Sequence, residues 1–236
     1  MTPSSVDDHA LMAIRAEILF SYDARGRMIG TNEPDSRPAP RLFVGRTRRG
    51  HVVRFGATVP EDLAPELTAI VNRYADDDGL AVPAPMRAEL RAALERHAPI
   101  KEEGGGPAYR FPASFAQPGD AVEVTGATLE VVRDTHPWLY RDLSTWGPCF
   151  AVLRDGFAAS ICHSSRIGAQ AMEAGVFTLP AYRGRGYAVA VTAAWGAAVS
   201  ASGRVPIYST AWTNLASQGV AHRLGLRMFG TDASWT

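Results

Sequence analysis

The sequence has a single lysine, Lys101, so arginine supplies 23 of its 24 basic side chains. The 24 acidic residues cancel this charge, and the net charge is zero. A zero balance excludes a generally basic nucleic-acid-binding protein and gives no electrostatic attraction to an anionic membrane surface. The arginine bias is typical of a compositional preference of the genome. Each guanidinium nevertheless remains a permanently charged group that can bind an anion through two hydrogen bonds.

Cysteine is scarce as well. Cys149 and Cys162 cannot build a disulfide framework or a metal cage. The six histidines are scattered without a close ligand pair, so no structural zinc is expected. Cys162 and His163 are adjacent, but neighbouring residues of a strand point to opposite faces, so they are not expected to form a nucleophilic pair. Packing in the core is the expected role of the thiols.

No apolar run is long enough to span a bilayer. The longest, residues 188–201, is interrupted by Thr192 and Gly196. The first twelve residues are acidic and lack the basic start of a signal peptide. We therefore expect a cytoplasmic protein with no membrane partner, and a chain of 236 residues is long enough to bury a sizeable core.

A glycine-rich segment, KEEGGGP at residues 101–107, is typical of a flexible connection. It predicts a domain boundary between residues 1–103 and 107–236. Short helices and strand–turn–strand patterns predict a small α+β domain of unassigned function before the boundary. After it, alternating patterns predict strands and helices, in this order: strands at 149–153, 157–163 and 173–179, a helix at 187–202, a strand at 205–212, a helix at 214–224 and a last strand at 227–236.

A locally basic hairpin lies in the first part, where six arginines fall between Arg37 and Arg54 with no acidic residue. The favoured interpretation is a solvated strand edge that charge protects from pairing with other chains. The alternative is capture of a phosphate or of a nucleic-acid backbone.

The segment RGRGYA, residues 183–188, lies between a predicted strand and the start of a predicted helix. A helix N-terminus presents unpaired N–H groups and the positive end of the helix dipole, so it favours anions. Gly184 and Gly186 allow the backbone to approach the anion closely. A pyrophosphate fits this pattern, but Val189 breaks the dinucleotide fingerprint, and the phosphate-binding loop of nucleotide enzymes requires a lysine that is absent here.

The sequence VFTLPAYRGRGYA resembles the acyl-CoA-binding motif R/Q-x-x-G-x-G/A of the GNAT superfamily of N-acetyltransferases, with Arg183, Gly186 and Ala188 in its defined positions. Downstream, STAWTNLASQGVAHRLGL is similar to the family's second motif, in which an asparagine opens a helix that ends in L-G-F/L. Asn214 and residues 224–226 match that motif. The resemblance covers about residues 108–236, whereas residues 1–100 resemble no family that we recognise.

This resemblance implies a mixed α/β fold whose central sheet splays between two neighbouring strands, with acetyl-CoA as the acyl donor and no metal. The pantetheine of the donor would enter between strands 173–179 and 205–212, where Pro206 fits a strand that has lost a partner. A small-molecule primary amine would be the acceptor, and transfer would be direct. The residues expected to bind CoA are Val176, Phe177, Thr178, Leu179, Arg183, Gly184, Arg185, Gly186, Tyr187, Ala188, Asn214 and Ser217.

The resemblance also implies catalytic groups. Glu173, at the start of its strand, is the expected base for the ammonium proton, and a solvated strand-end carboxylate is the alternative. In many members a tyrosine lies seven residues after the asparagine that opens the helix, and it donates a proton to the thiolate of CoA. This chain has Ala221 at that position. Tyr208 is the replacement candidate, with a buried aromatic as the alternative. A backbone N–H within 176–179 would stabilise the oxyanion.

The chain is short after the second motif, because only eleven residues follow Gly225. The family usually adds two strands there, so we expect the N-terminal domain, or a second subunit of a homodimer, to supply the missing partner. Four tryptophans are candidates to line an acceptor cavity, with core packing preferred for one of them, Trp195. The four are Trp138, Trp146, Trp195 and Trp212.

Two other functions stay open. One is a non-catalytic acyl-CoA-binding or sensing module, which the absent tyrosine favours. The other is an acetyltransferase that acts on a protein or on RNA and docks it on the basic hairpin, although the charge balance does not favour a nucleic-acid partner.

Overall fold

The structure is a computed structural model that describes residues 6–33, 35–75, 77, 79–115 and 119–236. These residues pack into two compact units. We call them the N-terminal unit, residues 6–109, 209–214 and 228–236, and the C-terminal unit, residues 110–208 and 215–227. The predicted sequential domains, 1–103 and 107–236, stay a prediction. Residues 1–5 of the first predicted domain lie outside the residues that the structure describes.

The N-terminal unit contains a sheet with the strand order β4-β3-β11-β5 and a separate hairpin, β1-β2. Its strands are β1 (Phe20–Tyr22), β2 (Met28–Thr31), β3 (Leu42–Thr47), β4 (Gly50–Phe55), β5 (Glu103–Arg110) and β11 (Arg227–Trp235). Its helices are α1 (Asp8–Leu19), α2 (Leu63–Asn72) and α3 (Ala84–Glu95).

Helix α1 packs against β3 and β4. Asp7 caps this helix by accepting a hydrogen bond from the N–H of Ala10. A core cluster combines residues of β3 and β11 with the apolar stripes of α2 and α3, including Leu42, Leu67 and Leu90, all fully buried. The predicted α+β character of this part of the chain is confirmed, because its residues form helices around an antiparallel sheet.

Two of the six arginines of the basic hairpin belong to the core, which neither interpretation expected, whereas Arg37, Arg48 and Arg49 are exposed. Arg46 is fully buried and donates to the carbonyls of Gly79 and Asp77 and to the carboxylate of Asp77 (Nη2 to Oδ1, 2.6 Å). Arg41 is buried and donates to the carbonyls of Leu94 and Ala98, each at 2.8 Å. Nearby backbone acceptors therefore satisfy these guanidinium groups, which a sequence pattern alone could not indicate.

The last strand of the chain pairs with a strand from the N-terminal part. β11 runs antiparallel to β3, with Thr231 opposite Arg46 and Trp235 opposite Leu42. The expectation that N-terminal residues supply the missing partner is confirmed. A second subunit is not needed to cover this side of β11.

The glycine segment is a strand and not a flexible connection. Residues 103–107 lie in β5, and the backbone around Gly105 and Gly106 leaves no room for a side chain. A Cβ on Gly106 would lie 1.8 Å from the carbonyl oxygen of Thr210, and a Cβ on Gly105 would lie 2.2 Å from that of Asp232. Glycine is therefore required here for close backbone approach, and not for the mobility that three consecutive glycines suggest.

Substitution of Gly106 by alanine should destabilise the protein by about 2 kcal/mol, because the new methyl group must push a backbone carbonyl aside. Urea unfolding followed by circular dichroism measures this change. Gly126→Ala is the control, since a Cβ there meets no atom within 4 Å, and its free energy of unfolding should stay within about 0.5 kcal/mol of wild type. Equal stabilities for the two variants would contradict the close approach.

The C-terminal unit contains the strand order β10-β9-β8-β7-β6. Its strands are β6 (Ala121–Glu123), β7 (Cys149–Arg154), β8 (Phe157–Ile167), β9 (Ala171–Thr178) and β10 (Val205–Ser209). Its helices are α4 (Pro137–Arg141), α5 (Leu143–Trp146), α6 (Tyr187–Ala201) and α7 (Leu215–Arg223), with 3-10 turns at Leu129–Val132 and Pro180–Tyr182.

Helix α6 packs along β6, β7, β8 and β9 on one face of this sheet. Trp195 of α6 is fully buried and donates from Nε1 to Oγ of Ser164 at 3.0 Å, so its preferred core role is confirmed. Gly196 lies against the ring of Phe111, where a Cβ would be 2.4 Å from Cε1. On the other face, a second apolar cluster combines β7 and β8 with the segment 124–146. Among the described residues, no helix is long and apolar enough to cross a membrane.

Candidate active site

Strands β9 and β10 separate part of the way along their length. They pair in parallel from Val205 opposite Ala171 to Ile207 opposite Glu173, and among the described residues their register goes no further. β9 continues to Thr178 and stays paired with β8 on its other side. Residues 174–178 therefore leave one row of backbone groups without partners from β10, which is the splay that the resemblance implies.

Pro206 does not mark this opening. It lies opposite Met172, inside the paired part of the two strands. The interpretation of Pro206 as a sign of the lost partner was therefore wrong. The separation begins one residue after Ile207.

The loop after β9 leads directly into the first turn of α6. Gly186 is the N-cap residue of this 15-residue helix and has a left-handed conformation (φ 82°), as does Gly184 (φ 78°). Glycine adopts this region without the steric cost that other residues incur. Arg183 and Arg185 are exposed, and Nε of Arg183 donates to the carbonyl of Thr178 at 3.2 Å. The loop thus combines exposed cationic side chains with the N-terminal amides of a long helix.

Aromatic and charged side chains hold the start of α6 in place. Arg154 lies over the ring of Tyr187, 4.5 Å from its centroid, and also donates to the phenolic oxygen at 2.9 Å. A second bond from Arg154 reaches the carboxylate of Asp120. Tyr182 donates to Asp155 at 2.6 Å, which ties the loop to the turn between β7 and β8. Such contacts fix the direction of the helix amides before any ligand binds.

Glu173 is not a solvated strand-end carboxylate. Its residue surface is 1% exposed, and its Oε2 accepts a hydrogen bond from Nη1 of Arg166 at 2.9 Å. Removal of either partner of such a buried ion pair would leave an uncompensated charge. The structure therefore gives Glu173 a structural partner, and its role as the base stays a prediction.

Tyr208 follows directly after the paired part of β10. It is buried, and its hydroxyl lies 2.7 Å from Oγ of Ser217 in the first turn of α7. Ala221, at the family's usual tyrosine position, is fully buried. Ser217 and Tyr208 are therefore brought together. Asn214 lies in the N-terminal unit, directly before α7, and its N–H donates to the carbonyl of Ala211.

The other expected CoA-binding residues lie at the end of β9. The N–H of Leu179 donates to the carbonyl of Ala159, and the hydroxyl groups of Thr178 and Ser160 lie 2.7 Å apart. Phe177 is 43% exposed, although it lies within a sheet. Val176 is partly buried. These contacts tie the end of β9 to β8.

A cluster of aromatic and imidazole rings lies on the face of β8 and β9 opposite α6. Two of its members, Trp138 and Trp146, are candidates from the sequence for an acceptor cavity, but sequence reasoning missed the two histidines and Phe177 beside them. We call the whole group the ring cluster, and its members are His136, Trp138, Trp146, His163 and Phe177. The ring of His163 contacts both tryptophans, with centroids 4.9 and 5.2 Å apart. The ring of His136 contacts Phe177 at 5.2 Å. No spacing pattern in the sequence could join these residues, because they come from α4, α5, β8, β9 and the residue before α4.

The imidazole of His163 occupies space that Gly175 leaves. The two residues are opposite each other in the β8–β9 register, and a Cβ on Gly175 would lie 2.4 Å from Nε2 of His163. Because Gly175 belongs to the part of β9 that β10 leaves unpaired, His163 lies beside the splay. Cys162 points to the opposite face, so the prediction that it does not pair with His163 is supported by the strand geometry.

Burial lowers the pKa of His163 to about 4, and it lowers the pKa of His136 to about 4 as well. Nδ1 of His163 and Nε2 of His136 are buried and have no hydrogen-bond partner among the described residues. Both rings are consequently neutral at neutral pH, so one nitrogen of each ring can donate a hydrogen bond and the other can accept one.

This depressed pKa predicts a pH dependence of stability. Unfolded His163 takes up a proton below about pH 6.5, whereas the folded ring resists protonation down to about pH 4, so unfolding is favoured as the pH falls through this range. From pH 7.5 to pH 5, His163 alone should remove about 2 kcal/mol from the free energy of unfolding. Urea titrations at both pH values measure the loss. It should be smaller in His163→Phe, and an equal loss in the variant would contradict the buried neutral ring.

Both thiols are buried and reduced. Burial raises the pKa of Cys149 to about 12 and raises that of Cys162 as well, so neither is a thiolate nucleophile at neutral pH. Within the part of the chain that the structure describes, no group of three or more histidine, cysteine or acidic residues is placed to hold a metal ion.

Residues 140–231 match the family model of the GNAT acetyltransferases. This segment belongs to the GNAT acetyltransferase family. The matched GNAT segment is less than half of the chain. It contains β7 to β10, α6, α7, both motifs quoted above and the loop of residues 183–186, which we call the glycine–arginine loop. The GNAT-type fold with a splayed central sheet, preceded by an α+β part, is confirmed for this protein.

Similar solved structures include a GNAT-family protein from Novosphingobium aromaticivorans, with 21% identity over 58% of this chain and a TM-score of 0.47. This chain covers 65% of that protein, less than two thirds of its length. A GCN5-related N-acetyltransferase-like protein from Streptococcus suis is 16% identical over 95% of this chain and 98% of its own, with a TM-score of 0.49. The aminoglycoside N-acetyltransferase AAC(6')-Iy in complex with CoA is 22% identical over 47% of this chain and 92% of its own, with a TM-score of 0.38. No curated protein matches the chain.

Proposed function

We propose that the protein is an N-acyltransferase that moves the acetyl group of acetyl-CoA directly to the primary amine of a small molecule. One observation carries the proposal: the β9–β10 ladder ends after Glu173 and Ile207, a few residues ahead of a glycine–arginine loop that opens a long helix. An open strand edge followed by an anion-binding turn suits a ligand with an amide-bearing arm and a pyrophosphate.

The proposed donor fits the groups that the chain offers. The pyrophosphate would accept hydrogen bonds from the amides of residues 184–188 and would lie near the charges of Arg183 and Arg185. The pantetheine amides would pair with the free edge of β9 at residues 174–178, as a strand would. Ser217 and Asn214, at the start of α7, remain proposed contacts of the donor.

The reaction then needs positioning and proton transfer. The ammonium group of the acceptor must first lose a proton, so that the nitrogen lone pair can attack the thioester carbonyl. The C–N bond forms, and an N–H of the β9 edge stabilises the oxyanion. The intermediate collapses with cleavage of the C–S bond. The nitrogen loses its second proton, and the CoA sulfur gains one proton.

Glu173 and Tyr208 are the proposed proton-transfer groups. Tyr208 suits the acid, because its hydroxyl lies against the first turn of α7 and directly follows the paired part of β10. Glu173 has the position of the base, but its ion pair with Arg166 favours the charged form of the carboxylate. Glu173 would therefore accept a proton only through a rearrangement of this pair or through water.

A non-catalytic acyl-CoA-binding module is the second candidate. It is favoured by two observations: Ala221 occupies the usual tyrosine position, and Glu173 is buried in an ion pair. Both candidates require CoA binding, and only the first requires turnover.

A thiol-release assay with acetyl-CoA and a panel of primary amines separates the two candidates. The proposed enzyme should release CoA only when an acceptor is present, and mass spectrometry should find an acceptor heavier by one acetyl group. Tyr208→Phe should lower kcat by about 10- to 100-fold while the Kd for CoA stays near the wild-type value. CoA binding without amine-dependent release across the panel would favour the binding module.

A further inference from the structure

The ring cluster lies next to the place where the proposed reaction occurs. His163 faces Gly175, and Gly175 is in the segment of β9 that β10 leaves free. Phe177, two residues further along β9, is 43% exposed and contacts His136. The cluster therefore extends from a buried imidazole beside the splay to an exposed ring.

Two features of the ring cluster indicate a ligand. Nδ1 of His163 and Nε2 of His136 are buried polar atoms with no hydrogen-bond partner among the described residues. Unsatisfied buried nitrogens cost free energy, so a folded protein retains them where the ring has a functional role. Trp138 and Trp146 are only partly buried, which leaves aromatic surface for an apolar group beside those nitrogens.

The charge of the ring cluster constrains the ligand. Its two imidazoles are neutral at neutral pH, and none of its members is acidic. Glu173 lies on the same face of β9 as Gly175 and Phe177, but its carboxylate is already paired with Arg166. A ligand with several ammonium groups would therefore bury charges beside rings that carry no carboxylate, which is costly. By contrast, an apolar surrounding favours the neutral form of a single amine, which is the form that attacks a thioester.

We propose that the ring cluster is the acceptor subsite and that the acceptor is a monoamine carried on an aromatic or apolar group. The tryptophan rings hold the apolar part. His163 acts as a positioning residue: its Nε2, the nitrogen that faces Gly175, accepts a hydrogen bond from the amine and directs the nitrogen lone pair of the amine to the thioester beside β9. This inference rests on the proposed function, since it names the substrate class of the same site.

Steady-state kinetics with three probes tests the substrate class. Phenethylamine and hexylamine represent the proposed acceptors, and spermidine represents a polycation of similar reach. The wild-type kcat/KM should be at least about 100-fold higher for the two monoamines than for spermidine. A preference for spermidine would overturn the inference while leaving the proposed function intact.

Variants test the residues. His163→Phe keeps a ring but removes both nitrogens, and it should raise the KM for phenethylamine about tenfold while the Kd for CoA changes less than twofold. Gly175→Ala keeps the β9 amide and places a methyl group against His163, so it should have a similar effect. His222→Phe is the matched control, because His222 is exposed on α7 and should leave KM unchanged. Unchanged KM in both His163→Phe and Gly175→Ala would overturn the positioning role.

A binding measurement keeps the inference testable without turnover. Phenethylamine added to the protein with saturating CoA should quench tryptophan fluorescence, and the quenching should disappear in the double variant Trp138→Phe/Trp146→Phe, which removes both tryptophans of the ring cluster. If no amine is acetylated but this quenching occurs, the enzyme proposal fails and the subsite proposal stands. Quenching that persists in the double variant, or quenching by spermidine alone, would overturn the subsite.

Discussion

Replacement of Arg46 by alanine should lower the free energy of unfolding by about 3 kcal/mol. The guanidinium is fully buried, and it satisfies the carbonyl oxygens of Gly79 and Asp77 together with a carboxylate oxygen of Asp77. Its loss would remove the donor for three acceptors at Asp77 and Gly79 and would leave a cavity where the buried side chain was. Chemical denaturation followed by circular dichroism gives this difference directly.

Arg37→Ala is the control for this prediction. Arg37 belongs to the same arginine-rich segment but is exposed, so its truncation should change the free energy of unfolding by less than about 0.5 kcal/mol. The contrast separates a structural arginine from a surface charge. If both substitutions changed the free energy of unfolding by similarly small amounts, the structural role of Arg46 would be contradicted. Anion binding would then be the better interpretation of the hairpin.

The second large effect concerns affinity for CoA. The double variant Arg183→Ala/Gly186→Val should raise the Kd for CoA by about 100-fold, which equals about 2.8 kcal/mol. Loss of Arg183 removes a cation beside the proposed pyrophosphate. Valine at the left-handed N-cap position distorts the turn that directs the helix amides, because β-branched residues rarely adopt a φ of 82°. Isothermal titration calorimetry measures the Kd.

The opposite end of α6 offers a matched control. Gly203 also has a left-handed conformation (φ 80°), and a Cβ there meets no atom within 4 Å, as at Gly186. Gly203→Val/Arg204→Ala therefore introduces the same kind of strain and removes one arginine, but at the negative end of the helix dipole. Its Kd for CoA should stay within about threefold of wild type. An equal loss of affinity in both double variants would show that strain in α6, and not the anion site, sets the affinity.

Local patterns predicted the C-terminal elements well. The helix expected at 187–202 is observed at Tyr187–Ala201. The strand expected at 173–179 is observed at Ala171–Thr178. The reason is physical: the apolar run of α6 and the glycine turn before it are local properties of the chain. The pairing that ends at Glu173 and Ile207 follows from the family resemblance and not from periodicity.

The features that the sequence did not reveal depend on distant contacts. Gly106 is glycine because the carbonyl of Thr210 lies close by, more than a hundred residues away in the sequence. Arg46 is buried because Asp77 and Gly79 turn their oxygens toward it. The ring cluster joins His136 and His163 through Trp138. None of these partners has a characteristic spacing in the sequence. Composition and periodicity therefore predicted a flexible connection at the glycine segment, a charged strand edge at the basic hairpin and no grouping of the histidines.

The decisive experiment is a crystal structure of the protein with bound CoA. We expect the pyrophosphate oxygens within hydrogen-bond distance of the amides of residues 184–188, and the CoA sulfur beside residues 174–178 of β9, on the side that β10 leaves open. CoA bound elsewhere on the chain, or β9 and β10 paired along their full length with the loop unoccupied at saturating CoA, would contradict this expectation.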